Sequence, residues 1–195
     1  MNAVSTFTPA EVSAMTGASV KAVYKMLGER LPSERSVRSE QRSLTRLAAI
    51  CFVIDREMPT DVPLEVRRQL YATILEQNTE ASVRCERGIL SYEVNVKAVA
   101  ERVSKDLARY QAAMQLIVED EAIQGGAATF RGTRILVHQI ADLLAQGADE
   151  AELREDYPRL TPEMLAAAPM YARAHPKRGR PRKPVWRNTD QTRGA

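Results

Sequence analysis

The spacing of apolar residues changes along the chain, and each change predicts a different element. Near the start, Val12 and Met15, then Val20, Val23 and Leu27, recur at helical steps. Thr8, Pro9 and Glu11 form a T-P-x-E opening, in which threonine caps, proline suits the first turn and glutamate closes a capping box. Gly17 stops that first helix and Ser19 caps a second. A basic, serine-rich loop follows, PSERSVRSEQR. After it comes a nearly all-round apolar helix from Ser43 to about Arg56. Asp61 and Pro63 start another, with Val66, Leu70 and Ile74 on one face.

From Ala81 the period becomes two. Leu90, Tyr92, Val94 and Val96 alternate with Ser91, Glu93 and Asn95, which predicts a half-buried strand, and Val83 with Cys85 supplies a second hairpin arm. A long helix is expected from about Val96 to Val118. Its stripe of Val96, Val99, Val103, Leu107, Tyr110, Met114 and Ile117 runs along a rod of roughly 33 Å. Two arrangements satisfy such a stripe: packing within the chain, or self-association of two chains, which would suit a DNA-binding dimer. Further on, Thr129-Phe130 and Ile135-Leu136 flank Arg131-Gly132-Thr133-Arg134 as a small β-hairpin. Three short helices follow, the first ending at Gly147, the second opening at Asp149 and the third capped by Thr161 and Pro162.

The fold class read from this pattern is mainly α with minor β. The expected division is 1–80 as a helix-turn-helix DNA-binding domain, 81–118 as a strand and long helix for dimerisation, 119–175 as a small helical domain opened by a hairpin, and 176–195 as an extended basic tail.

Charge sharpens the last boundary. The chain's formal net charge is +3, yet Tyr171 to Ala195 alone carries +7 and the remaining 170 residues −4. A mildly acidic body thus carries a strongly cationic end. The longest apolar run, LAAICFVI, is eight residues, far short of a membrane span, and the N-terminus lacks the pattern of a signal peptide. Cys51 and Cys85 show no CxxC spacing, and His138 and His175 are the sole histidines, so metal-ligand spacing is absent. A reducing cytoplasm with packing thiols is the expectation. No P-loop or recognisable triad motif appears, and neither an enzyme nor a cofactor is expected.

Two short helices joined by a tight Thr16-Gly17-Ala18 turn read either as a helix-turn-helix or as an ordinary helical hairpin. In the first case Ser19, Lys21, Tyr24 and Lys25 on the second helix are the candidate DNA-binding residues. Over about 25 residues the stretch resembles the helix-turn-helix of MerR-type regulators.

The segment from Gly125 to Pro176 is more specific. Its Gly125-Gly126, Arg131-Gly132-Thr133-Arg134-Ile135, Val137, Gly147, Tyr157-Pro158, Leu160-Thr161 and Tyr171-Ala172 resemble the small domain of unknown function found in bacterial VapB-type antitoxins. Ala128 and Leu136 stand where that family often has proline, which bears on hairpin rigidity. The resemblance implies a type II antitoxin: a dimer that binds operator DNA, represses its own operon and blocks a PIN-like ribonuclease toxin. Arg131 and Arg134 read structurally as arginines that pin backbone carbonyls beside the hairpin glycine.

The tail, HPKRGRPRKPVW, admits two grips. Its RGRP resembles the core of an AT-hook, whose arginines lie along a narrow minor groove, as a stand-alone MerR-like regulator would use it. Alternatively Arg178, Arg180, Arg182 and Lys183 pair with the carboxylates of a PIN-like toxin. Trp186, the single tryptophan, favours the toxin, because an indole beside arginines suits a protein–protein anchor.

Overall fold

The computed structural model describes residues 6–31, 37–38 and 43–177. These form mainly helix, eight α-helices among the described residues, with three small antiparallel sheets. No helix among them is long and apolar enough to cross a membrane.

Strand β1 (Thr6–Phe7) leads into α1 (Pro9–Thr16) and α2 (Val20–Glu29). β2 (Val37–Arg38) and β3 (Ser43–Thr45) follow, then α3 (Arg46–Glu57) and α4 (Leu64–Glu76). The sheet order is β1-β3-β2, with Phe7 and Val37 both opposite Leu44. The sequence pattern predicts a loop over 32–42, which apart from Val37–Arg38 lies outside the described residues, and a helix from Ser43. Instead Ser43–Thr45 is strand, and Thr45 is the N-cap whose hydroxyl accepts from Ala48 N–H at 3.2 Å. Strands of two or three residues in a polar stretch leave no readable period.

β4 (Val83–Arg87) and β5 (Leu90–Val94) pair through the loop Gly88-Ile89, where Gly88 takes φ 60°. A two-residue hairpin turn needs that positive φ. Val83 and Cys85 are buried, but Leu90 at the strand's start is exposed, so the alternation covers the core with one half of the ribbon.

The long helix, α5 (Val96–Gln115), is capped by Asn95, whose side chain accepts from Ala98 N–H at 3.1 Å. Val96, Val103 and Tyr110 of its stripe are buried, and Val99, Leu107 and Met114 pack against the same core. The stripe packs largely within one chain, against α1, α3 and a C-terminal helix, with Val99, Leu107 and Met114 partly exposed. The helix also ends earlier than expected. Ile117–Val118 is a strand, β6, paired with β7 (Thr129–Phe130). The expected hairpin between Thr129-Phe130 and Ile135-Leu136 shrinks to one bridge, Thr129 to Leu136, because β7 takes its main partner from further away.

α6 (Val137–Ala145), α7 (Glu150–Asp156) and α8 (Pro162–Ala174) complete the chain. Asp149 caps α7 and Thr161 caps α8, as their residue types predict. Two hydrophobic cores result. The first gathers residues from Phe7 to Tyr110, the second residues from Ala113 to Tyr171. α8 belongs to both: Leu165, Ala167, Ala168 and Tyr171 fill the second core, while Ala174 is buried in the first.

One polar atom is left over in the second core. Thr129 is fully buried and its hydroxyl has no hydrogen-bond partner among the described residues. Thr129→Val, which replaces that hydroxyl by a methyl of similar shape, is expected to raise unfolding free energy by about 1 kcal/mol in urea denaturation. A loss of stability would mean the hydroxyl is satisfied in solution.

Candidate nucleic-acid interface

The helix pair is fixed by local chemistry. Thr8 N–H donates to the Glu11 carboxylate at 2.7 Å and Glu11 N–H donates to the Thr8 hydroxyl at 3.2 Å, the reciprocal pair of a capping box. Gly17, at φ 69°, turns the chain in the left-handed region that a side chain would resist. The buried Ser13 hydroxyl donates to the Ala18 carbonyl at 2.6 Å, tying α1 across the turn. Ser19 then caps α2, accepting from Ala22 N–H at 3.2 Å.

Val12, Met15, Ala18, Val23 and Met26 face the first core. The opposite face of α2 carries Ser19, Lys21, Tyr24 and Lys25, all exposed. The four candidate residues thus share one solvent face, on a helix whose other side is buried. A cationic and aromatic face on a helix of ten residues has the dimensions and chemistry that enter a major groove.

The far end of α2 is clamped by two arginines, one from α4 and one its own C-cap. Arg68 of α4 donates through Nε and Nη2 to the Glu29 carbonyl at 3.0 and 2.6 Å, where the helix dipole is negative. Arg30 forms an ion pair with Asp55 of α3. Asp55 also accepts from Arg67 at 3.2 Å and from the Tyr71 hydroxyl at 2.8 Å. Nothing in the sequence announces this hub, because its members lie on three elements and none belongs to a motif. Burial and the neighbouring Asp55 carboxylate push the Tyr71 hydroxyl's pKa well up, so it stays a proton donor. Burial likewise holds Cys51 as a neutral thiol. Among the described residues no three His, Cys, Asp or Glu side chains gather as a metal site requires.

In the second core the turn Arg131–Arg134 closes at Gly132, φ 75°, with Thr133 N–H donating to the Phe130 carbonyl at 2.9 Å. Arg131 is the pin expected of it, donating through Nε to the Gln115 carbonyl at 2.9 Å and so fixing the end of α5. Arg134 is not: it is exposed and makes no hydrogen bond or ion pair with the described residues. Gly132 to Ile135 and Asp156 to Arg159, distant in sequence, line one groove of about 860 Å³. Arg159 Nη1 bridges it to the Gly132 carbonyl at 3.1 Å, and Gln139 donates to the Tyr157 hydroxyl at 3.1 Å.

That convergence of the two motif stretches coincides with a match. Residues 117–172 match the family model described as a protein of unknown function (DUF433). The match opens at β6 and closes within α8, so it covers nearly the whole second core. The chain is also 36% identical over 87 residues to the uncharacterized protein y4eO of Sinorhizobium fredii (strain NBRC 101917 / NGR234). That alignment covers 45% of this chain and 38% of the relative's length. No solved structure matches the chain.

The DUF433 segment ends at the candidate tail. His175 stacks on Tyr171 with ring centroids 4.4 Å apart, and Lys177 forms an ion pair with Asp142. Burial and the cationic Lys177 lower the pKa of His138, which lies edge-on to the same tyrosine at 5.4 Å. Arg178, Arg180, Arg182, Lys183 and Trp186 lie outside the described residues.

Proposed function

We propose that this chain is the antitoxin of a type II toxin–antitoxin pair. It binds operator DNA through α2 and inhibits a PIN-like ribonuclease toxin through its basic tail. The observation that carries this reading is the DUF433 match over 117–172, on the motifs that resemble VapB-type antitoxins. The exposed face of Ser19, Lys21, Tyr24 and Lys25 supports the DNA-binding arm. The antitoxin reading calls for a homodimer, for which the α5 stripe leaves only the partly exposed Val99, Leu107 and Met114. On the toxin, the tail's guanidinium groups pair with the carboxylates that hold divalent metal, and Trp186 anchors the segment alongside.

A second reading is favoured by the place where the tail begins. α8 packs along α1, and Arg173 approaches Gly17, so the tail leaves beside the helix pair rather than far from it. A stand-alone regulator would use RGRP there as an AT-hook-like accessory.

Truncation after Pro176 separates the two. For the antitoxin, the shortened protein keeps DNA affinity but no longer inhibits the nuclease encoded by an adjoining gene. Trp186→Ala reproduces part of that loss, about thirtyfold in affinity for a cost near 2 kcal/mol. For the regulator, DNA affinity and its salt dependence collapse on truncation instead. Retained inhibition by the truncated protein overturns the tail's role outright.

A further inference from the structure

Arg173 stands out on the surface around the helix pair. It is exposed, on the edge of α8 next to the buried Ala174, and it forms no hydrogen bond or ion pair with the described residues. Its Nη1 lies 3.8 Å from where a Cβ on Gly17 would stand. Gly17 is the turn residue two positions before the cap of α2. A second arginine reaches the same turn from α3: Arg56 Nη1 donates to the Thr16 carbonyl at 2.9 Å. Arg56 is accounted for by that bond, since a cation suits the carbonyl end of α1. Arg173 has no such acceptor. Arg173 sits in the last turn of α8, whose negative end suits a cation, but its guanidinium donors are taken up by no group among the described residues and stand open to an anion from outside.

We propose that Arg173 is a phosphate-contacting residue, and that α8 and α2 together form one DNA-binding face. This rests on the DNA-binding reading of α2 and extends it to a helix of the second core. Lys21 and Lys25 lie on α2, and Arg173 beside its approach. A guanidinium presents several donors to a phosphate and stays charged, so Arg173 supplies affinity and register without reading bases. It lies one residue past the DUF433 match, so the contact belongs to this chain's arrangement of helices rather than to that family's motif.

The test uses the full chain and a fluorescein-labelled duplex of mixed sequence, since phosphate contacts act on any sequence. Anisotropy titrations over a salt series compare wild type with Arg173→Ala, Arg173→Lys, Arg154→Ala and the double variant Lys21→Ala/Lys25→Ala. Arg173→Ala should weaken binding severalfold and reduce the slope of log affinity against log salt by about 0.9. Arg173→Lys keeps the charge and should keep the slope, whereas Arg154→Ala on α7 should change neither. An Arg173→Ala protein with unaltered affinity and slope, while the double lysine variant loses both, overturns the role of Arg173 alone. A lysine variant that loses slope as alanine does makes Arg173 a brace of the turn, and overturns the proposal too. Should wild type not bind the duplex, or the double variant bind it normally, the reading of α2 fails and this inference fails with it.

Discussion

Asp55→Ala is expected to lower unfolding free energy by about 3 kcal/mol, at the low end of the range for breaking a buried ion pair. The carboxylate is nearly buried, and so is its partner Arg67, whose side chain is 8% exposed. Removing it leaves that guanidinium without its counter-charge and the Tyr71 hydroxyl without an acceptor. The loss stays at the low end because Arg67 keeps the carbonyls of Val62, Asp55, Met58 and Pro59. Arg30 is freed as well, which loosens the C-terminal end of α2. On the proposed DNA-binding role of α2, DNA affinity should then fall even at temperatures where the variant is folded. Asp55→Asn, which keeps an acceptor but no charge, should fall between the two. Urea denaturation measures the loss, and a change below about 1 kcal/mol would show the pair contributes no more than a surface bridge.

Phe130→Ala is expected to cost more, about 3–5 kcal/mol, because the ring is fully buried at the centre of the second core. The shape of the transition is as informative as its midpoint. α8 fills the second core with Leu165 and Ala168 and enters the first with Ala174, so loss of either core strips cover from the other. Far-UV circular dichroism against guanidinium should therefore show one cooperative transition, moved to lower denaturant. Two separate transitions would mean that the cores are independent domains, and that α8 holds them together only loosely.

What could be read in the sequence was local. Thr8, Ser19, Asp149 and Thr161 announce their helices because a capping side chain acts within three residues of itself. The outward set Ser19, Lys21, Tyr24 and Lys25 follows from helical period alone. What could not be read was distant. The apolar stripe of α5 runs into Ile117 with no break, so nothing before the turn at Leu116 says that Ile117–Val118 pairs with a strand twelve residues on. The joining of α8 to α1 rests on alanines and Met170, residues that fit against almost any apolar surface. Arg173 follows from that joining, and from sequence it is one cation among many.

The two ends of this chain's order are brought side by side by α8. α1 is the first helix of the described fold and α8 the last, and the two pack along each other while β6 pairs with β7 between them. The backbone between Glu119 and Ile123 is thus a link inside a closed loop of contacts rather than a hinge between halves. A single cleavage there would leave both fragments seated on one another. Coexpressed as two polypeptides, they should assemble by complementation into the same molecule.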